Sequence, residues 1–172
     1  MIPNYTIHFE HQEYLIINKD IGLAVQSKED SDLLKILEKK YEKTLHLITR
    51  LDQPVSGLVL IAKNKSIAAH FSGLMQEGRI NKKYTAVVEG KLEQKEGSIT
   101  SNLSKKNAKN YIDEEGKKSV LNYKVIKELD RYSILEIITD TGRFHQITAQ
   151  LQSIGHPIKG DLKKKKKRSN KG

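Results

Sequence analysis

Two polar stretches of the sequence could form a reaction site, and the first contains Arg50 and Asp52. The guanidinium and the carboxylate are two residues apart, and Pro54 and Gly57 favour a turn just before an apolar run. This turn would present a carboxylate and a cation together at the mouth of a sheet. An isolated Arg-x-Asp pair is more often a surface ion pair, so these residues alone leave both interpretations open.

The second stretch runs from Asp140 to Asp161 and includes Gly142-Arg143. The glycine gives the backbone the freedom to present Arg143 at a helix start, where free amides and the helix dipole also favour an anion. A phosphate group or a buried Asp would suit that position. The alternative is that Arg143 is a partner in a helix cap and that His145 and His156 are ordinary polar residues.

The composition narrows the chemistry that the chain can carry out. It contains no cysteine, which excludes disulfides, thiolate metal sites and cysteine nucleophiles. No acidic cluster with ligand spacing accompanies the histidines, so we expect no metal site and disfavour a metal-dependent nuclease. No apolar run is long enough to span a bilayer, and the N-terminus lacks the features of a secretory signal. We therefore expect a cytoplasmic protein that uses carboxylates, hydroxyls, histidines or basic groups.

Hydrophobic periodicity predicts an α+β fold with a mixed, largely antiparallel sheet flanked by helices around one core. The apolar run Gly57–Lys63 is expected to be a central strand buried on both faces. Asp30 or Ser31 is expected to cap the first helix, and Asn64 the second, which Gly78 ends. Residues 101–118 are a polar stretch. The predicted elements are strands at 14–19, 57–63, 83–89, 120–126 and 132–139, the last two a hairpin, and helices beginning near residues 31, 64 and 141.

The net charge of +10 is concentrated at the C-terminal end. Residues 162–172 contain seven Lys and Arg residues and no acid, which leaves +3 for the rest of the chain. A dense lysine run has nothing apolar to bury, so we expect a disordered basic tail. The tail could be a solvated solubility segment or an arm that grips phosphates through Lys163 and Lys164, and composition decides neither.

Four ordered blocks of the sequence resemble the RluA family of pseudouridine synthases. Each block is a weak pattern, but their order and spacing make the resemblance specific. The blocks are Asn18-Lys19-Asp20-Ile21-Gly22; Arg50-Leu51-Asp52 with Ser56-Gly57-Leu58 and Ala62-Lys63; Lys83-Tyr84 with Val88-Glu89-Gly90; and Thr141-Gly142-Arg143 with His145-Gln146-Ile147, Gly155-His156-Pro157-Ile158 and Gly160-Asp161. The chain departs from the family pattern at Asp20, Thr49, Val55 and Thr148, where proline, histidine, threonine and arginine are common.

The resemblance implies a pseudouridine synthase catalytic fold and an RNA-modifying isomerase that needs no cofactor. Asp52 would be the essential carboxylate, and Arg143 would be the cation that keeps it ionised. Tyr84 would stack on the target base, although core packing is the alternative for that ring. Arg50 would fill the space left by the flipped nucleotide.

The resemblance also implies a structured RNA partner, ribosomal or transfer RNA. Lys83 and His145 lie in the matching blocks and are expected to contact that RNA together with Lys163 and Lys164. Family members usually continue past the Gly-Asp pair with further strands, so residues 1–161 are expected to be a monomeric catalytic domain that is incomplete at its C-terminus. The alternative is a non-catalytic RNA-binding or ribosome-assembly protein that keeps the fold.

Overall fold

The computed structural model describes residues 4–27, 30–106, 109–139 and 145–161, without the side chains of residues 105–111. These residues form nine strands and three helices, and every strand pairing among them is antiparallel. This confirms the predicted α+β class. The chain divides between Ile80 and Asn81 into two compact units, and each unit has its own hydrophobic cluster instead of the single core that we expected.

The first unit contains a four-stranded sheet in the order β1-β2-β4-β3 and two helices. Its elements are β1 (Tyr5–Glu10), β2 (Tyr14–Lys19), α1 (Leu33–Tyr41), β3 (His46–Leu47), β4 (Gly57–Ala62) and α2 (Lys65–Gln76). Strands β2 and β4 and both helices agree with the sequence prediction. Strand β1 was not predicted, because its residues are mostly exposed and show no strong apolar run.

Strand β4 lies between β2 and β3, as a central strand should. Its Val59 and Ile61 are buried, and they pair with Ile17 and Leu15 of β2 in the first hydrophobic cluster. Leu58 points to the other face and keeps 53% of its surface exposed. The prediction that this strand is buried on both faces therefore holds only in part. Val59 and Ile61 are buried on the side covered by α1, whereas on the other side Ala62 is fully buried and Leu58 remains accessible.

The N-cap of helix α1 lies later in the chain than the sequence analysis predicted. The N-cap is Asp32, and neither Asp30 nor Ser31 takes that role. One carboxylate oxygen of Asp32 accepts from the Lys35 amide at 2.9 Å, and the other accepts from the Ser27 amide at 2.8 Å. The buried Asp32 thus caps the helix and holds the preceding loop at once, which the more exposed candidates could not do.

Helix α2 begins and ends as predicted. The Asn64 side chain accepts from the Ile67 amide at 2.9 Å, which satisfies a free donor of the first turn. Gly78 follows the helix with a φ of +69°, a conformation that glycine adopts without strain. Of the helices in the described ranges, none is long and apolar enough to cross a membrane.

A polar cluster joins α1 to the end of the sheet at which β4 finishes. Lys63 Nζ donates to Glu10 Oε1 and to the His11 carbonyl, both at 2.8 Å. The Tyr41 hydroxyl at the end of α1 is also hydrogen-bonded to Glu10, and the Lys63 ammonium lies 5.1 Å from the Tyr41 ring centroid. Burial, followed by the interaction with Glu10, raises the pKa of Tyr41 to about 12.

The second unit contains a five-stranded sheet in the order β5-β9-β8-β6-β7 and one helix. Its elements are β5 (Lys82–Glu89), β6 (Glu96–Lys106), β7 (Lys109–Ile112), β8 (Lys117–Glu128), β9 (Tyr132–Thr139) and α3 (Gln146–Ser153). The predicted hairpin of β8 and β9 and the predicted strand β5 are present. The polar stretch 101–118 contains the end of β6, all of β7 and the start of β8, which apolar periodicity did not reveal.

Helix α3 is attached to this sheet by polar as well as apolar contacts. Leu151 is fully buried in the second hydrophobic cluster. The Gln150 amide nitrogen donates to the carbonyls of Ile99 and Ser119, at 3.0 and 3.1 Å. Gln146 makes a similar bond of 3.0 Å to the Val120 carbonyl. The helix is therefore held against β6 and β8 in a fixed register.

The Tyr41 cluster predicts a specific dependence of stability on pH. A folded-state pKa near 12, above the ordinary value of 10.0, means that the tyrosine favours folding below pH 10 and that this contribution is lost as the pH rises towards 12. Tyr41→Phe should destabilise the protein at neutral pH, and the deficit should shrink between pH 10 and 12. Chemical denaturation of both proteins across that range measures this difference, and a deficit independent of pH would contradict the assignment.

Candidate functional site

The loop between β3 and β4 presents Arg50 and Asp52, as the sequence predicted. Arg50 is exposed, whereas Asp52 is half-buried. The Asp52 carbonyl accepts from the Val55 amide at 2.9 Å, which closes a tight turn around Pro54. Leu51 points inward and packs against the first hydrophobic cluster, so it anchors the segment between the two charged residues.

Lys19, at the end of β2, is buried beneath this loop with 0% of its surface exposed. Its ammonium donates to the carbonyls of Leu23 at 2.8 Å, Asp20 at 2.9 Å and Gln53 at 3.3 Å. A buried ammonium is costly unless its donors are satisfied, and three carbonyl oxygens satisfy them here. The residue after Asp52 is thereby tied to the turn that follows β2.

Gln53 strengthens this attachment through a reciprocal pair of bonds with Gly22. The Gly22 amide donates to the Gln53 carbonyl, and the Gln53 side-chain amide donates to the Gly22 carbonyl, both at 2.9 Å. Gly22 has a φ of +90°, which a side chain would strain, so the turn needs glycine at this position. The backbone of Gln53, next to Asp52, is consequently bonded to Lys19 at the end of β2 and to Gly22 in the turn that follows.

Lys19 also supplies a positive charge to the surroundings of Asp52. Burial lowers the pKa of Lys19 below its ordinary value, and the carboxylates of Asp20 and Asp52 oppose that shift. The sequence analysis assigned this role to Arg143, which lies outside the described residues.

The sequence analysis named Lys19 only as a member of the first family block and assigned it no role. The signal that could have revealed its burial is the period of two in β2, which places Leu15, Ile17 and Lys19 on one face of the strand. A lysine on the inward face of an otherwise apolar strand needs buried acceptors. The turn carbonyls provide them.

The second unit contains Lys83 and Tyr84 on β5. Tyr84 is half-buried, pairs in register with Ile137 of β9 and packs against the second hydrophobic cluster. Its ring therefore packs partly against the core, while part of its surface stays exposed. The Lys83 ammonium is on the other face of the strand, where it forms an exposed ion pair of 3.1 Å with Glu136.

His145 occupies the N-cap position of α3 with a left-handed φ of 52°, which is unusual for a residue other than glycine. Its carbonyl accepts from the Ala149 amide at 3.1 Å. Lys163 and Lys164, like Arg143, lie outside the described residues. The described structure thus places Arg50 and Asp52 in one loop with Lys19 beneath it, and Lys83, Tyr84 and His145 in the other unit.

Comparison with known proteins gives one consistent family. A family model described as RNA pseudouridylate synthase matches residues 13–153. An uncharacterized RNA pseudouridine synthase of Bacillus subtilis, YhcT, is 33% identical over 94% of this chain and 59% of its own length. Ribosomal large subunit pseudouridine synthase C of Buchnera aphidicola is 33% identical over 95% of this chain and 55% of its own length. The dual-specificity RNA pseudouridine synthase RluA of Vibrio cholerae is 31% identical, with coverages of 92% and 68%.

Solved structures agree on the fold. Human RNA pseudouridylate synthase domain containing 1 superposes with a TM-score of 0.81 at 24% identity, covering 94% of this chain and 70% of that protein. Human RNA pseudouridylate synthase domain containing 4 gives a TM-score of 0.76, also at 24% identity, with coverages of 90% and 67%.

The family model covers most of the chain. The chain itself spans only 59% of the length of the Bacillus subtilis relative and 55% of the length of the Buchnera aphidicola relative. The resemblance seen in the four sequence blocks is confirmed, and this chain belongs to the RNA pseudouridylate synthase family.

Proposed function

We propose that this chain isomerises uridine to pseudouridine in a structured ribosomal or transfer RNA, with Asp52 as the catalytic carboxylate. The proposal rests on the place of Asp52 in the loop between β3 and β4 of a chain that belongs to the RNA pseudouridylate synthase family. Its half-buried side chain lies in a loop that is held by Lys19, within the electrostatic field of that buried ammonium. The protein is expected to act as a monomer in the cytoplasm.

The reaction breaks the bond between the ribose C1′ and uracil N1, turns the detached base and forms a bond between C1′ and C5. The C5 proton leaves and N1 gains a proton, so the product is an isomer and the net reaction consumes no reductant, oxidant or energy source. Asp52 would either attack C1′ or remove a ribose proton to form a glycal. Both routes require the ionised carboxylate.

Lys19 is suited to keep Asp52 in that ionised form. A half-buried carboxylate covered by a uracil ring would tend towards neutrality, because desolvation disfavours charge. A buried ammonium loses less of its field to solvent than an exposed one. We assign to Lys19 part of the role that the sequence analysis gave to Arg143, and we keep Arg143 as a second cation.

Arg50 is suited to assist base flipping. A uridine inside a folded RNA must leave its stack before it can reach Asp52, at a cost of a few kcal/mol. The exposed Arg50 guanidinium can stack and hydrogen-bond in one plane, and it is two residues from Asp52. We propose that it fills the vacated space.

The other candidate residues have separate roles in the proposal. Tyr84 stacks on the flipped base. The RNA is contacted by Lys83, His145, Lys163 and Lys164.

Asp52→Asn tests the assignment directly. The amide cannot act as a nucleophile or base, so we expect no pseudouridine formation, while RNA affinity should change less than about threefold because the side chains have similar shape. The measurement is tritium release from transcripts of large-subunit ribosomal RNA and transfer RNA that carry uridine tritiated at C5, together with a filter-binding assay.

Asp30→Asn is the matched control, since Asp30 is an exposed carboxylate paired only at the surface with Lys35. It should retain full activity. Turnover by Asp52→Asn would remove Asp52 from the mechanism. An unaltered chain that binds both transcripts and releases no tritium from either would instead favour a non-catalytic RNA-binding protein.

Arg50→Ala should slow the reaction by impairing base flipping and leave the chemistry of Asp52 intact. We expect a single-turnover rate lower by about 10-fold or more, with partial recovery when the target uridine is placed opposite a mismatch, because a weakly stacked base is easier to extrude. Arg79→Ala is the control, because Arg79 is also exposed and its ion pair with Glu77 is at the surface. A normal rate for Arg50→Ala would refute its role.

Lys19→Met should weaken both the fold and the reaction. The replacement keeps the length of the side chain but removes the ammonium donor from three carbonyls, of which that of Gln53 keeps its bond to the Gly22 amide. This loss should cost about 1–3 kcal/mol in the free energy of unfolding. The single-turnover rate should fall more than RNA affinity does. Lys39→Met, at an exposed position of α1, is the control for loss of a positive charge. Equal rates for these two variants would show that Lys19 does not support Asp52.

A further inference from the structure

The chain leaves β3 for the Asp52 loop through a bulge at Ile48 and Thr49. The amides of both residues donate to one acceptor, the Leu60 carbonyl of β4, at 3.0 and 3.3 Å. Two residues that directly follow β3 thus share a single acceptor of β4, which is the bonding pattern of a β-bulge. Such bulges bend a strand and redirect the side chains that follow it.

The Leu60 amide has an unusual partner at this bulge. In the hydrogen-bonded residue pairs of a regular antiparallel ladder, the amide and the carbonyl of a residue both bond to the backbone of the opposite residue. Here the Leu60 amide donates to the side-chain hydroxyl oxygen of Thr49, at 2.8 Å. The hydroxyl replaces the backbone acceptor that a regular strand would have offered.

This hydroxyl bond fixes the point at which the Asp52 loop starts. Thr49 precedes Asp52 by three residues, and Gln53 follows it directly. The loop is therefore attached to β4 on one side of Asp52, through Thr49, and to Lys19 and Gly22 on the other, through Gln53. Without the hydroxyl bond, Thr49 would keep its 3.3 Å amide bond to the Leu60 carbonyl, and the start of the Asp52 loop would be held less firmly against β4.

We propose that Thr49 is a positioning residue, whose side-chain hydroxyl holds the Asp52 carboxylate in register with a bound uridine. Thr49 contacts the backbone of β4 and acts through the loop. This inference rests on the proposed function of Asp52. A displacement of about 1 Å at a reacting group is enough to lower a rate by roughly 100-fold, so the loss of one such bond should be measurable.

The test compares Thr49→Val with Thr49→Ser in the full chain. Valine matches threonine in shape and lacks the hydroxyl, whereas serine keeps the hydroxyl. With enzyme in excess and at saturating RNA, we expect Thr49→Val to react about 10- to 100-fold more slowly with the tritiated transcripts, with unchanged affinity, and Thr49→Ser to react nearly normally. Thr6→Val, at an exposed position of β1 in the same unit, controls for the loss of a strand hydroxyl.

The outcomes separate this inference from the function on which it rests. If Asp52→Asn is inactive and Thr49→Val is as fast as the unaltered chain, the positioning role is wrong and the catalytic assignment stands. If Thr49→Val weakens RNA affinity but reacts normally at saturation, Thr49 acts in binding and the inference also fails. Should Thr49→Val not fold, Thr49→Ser must still react faster than Thr49→Ala at saturating RNA. Turnover by Asp52→Asn would overturn both proposals.

Discussion

The first unit depends on the ammonium of Lys19 being buried among backbone carbonyls. Removing this charge from water is unfavourable, and only acceptors in fixed positions offset that cost. Those acceptors come from the turn after β2 and from Gln53 in the Asp52 loop, which are far apart in sequence. The ammonium therefore joins two loops at one end of the sheet, and the position of Asp52 follows from that junction.

The same sheet is apolar at its centre and polar at its ends. Leu15 and Ile17 of β2 belong to the same hydrophobic cluster as the buried residues of α1. At each end of the sheet lies a lysine whose ammonium is hydrogen-bonded. Lys19 bonds to carbonyls at the end where β4 begins, and Lys63 bonds to Glu10 and a carbonyl at the end where β4 finishes. The centre supplies burial, while the two lysines determine how the connecting segments are attached.

Periodicity predicted most of the elements, because helices and buried strands repeat their apolar residues at fixed intervals. It missed the mostly exposed β1 and the two-residue β3, and also β6 and β7, whose residues are largely polar and pair through their backbones. It also placed the α1 cap too early, since the choice of Asp32 depends on contact with a loop five residues upstream. The Arg50–Asp52 loop was recognisable from its residues, but the acceptors of Lys19 were not, because Gln53 is 34 positions away along the chain. Packing over such distances leaves no local sequence signal.

The attachment of the Asp52 loop at both ends has a consequence for how this segment can change in evolution. Thr49 and Gln53 are each tied to a different neighbouring strand or turn, and three residues separate them. An inserted residue would have to be accommodated by breaking one of the ties, whereas substitution of an exposed side chain leaves both intact. Among homologues, we expect the length of this segment to be invariant even where its exposed residues differ, and insertions to accumulate in connections that bear no such double tether.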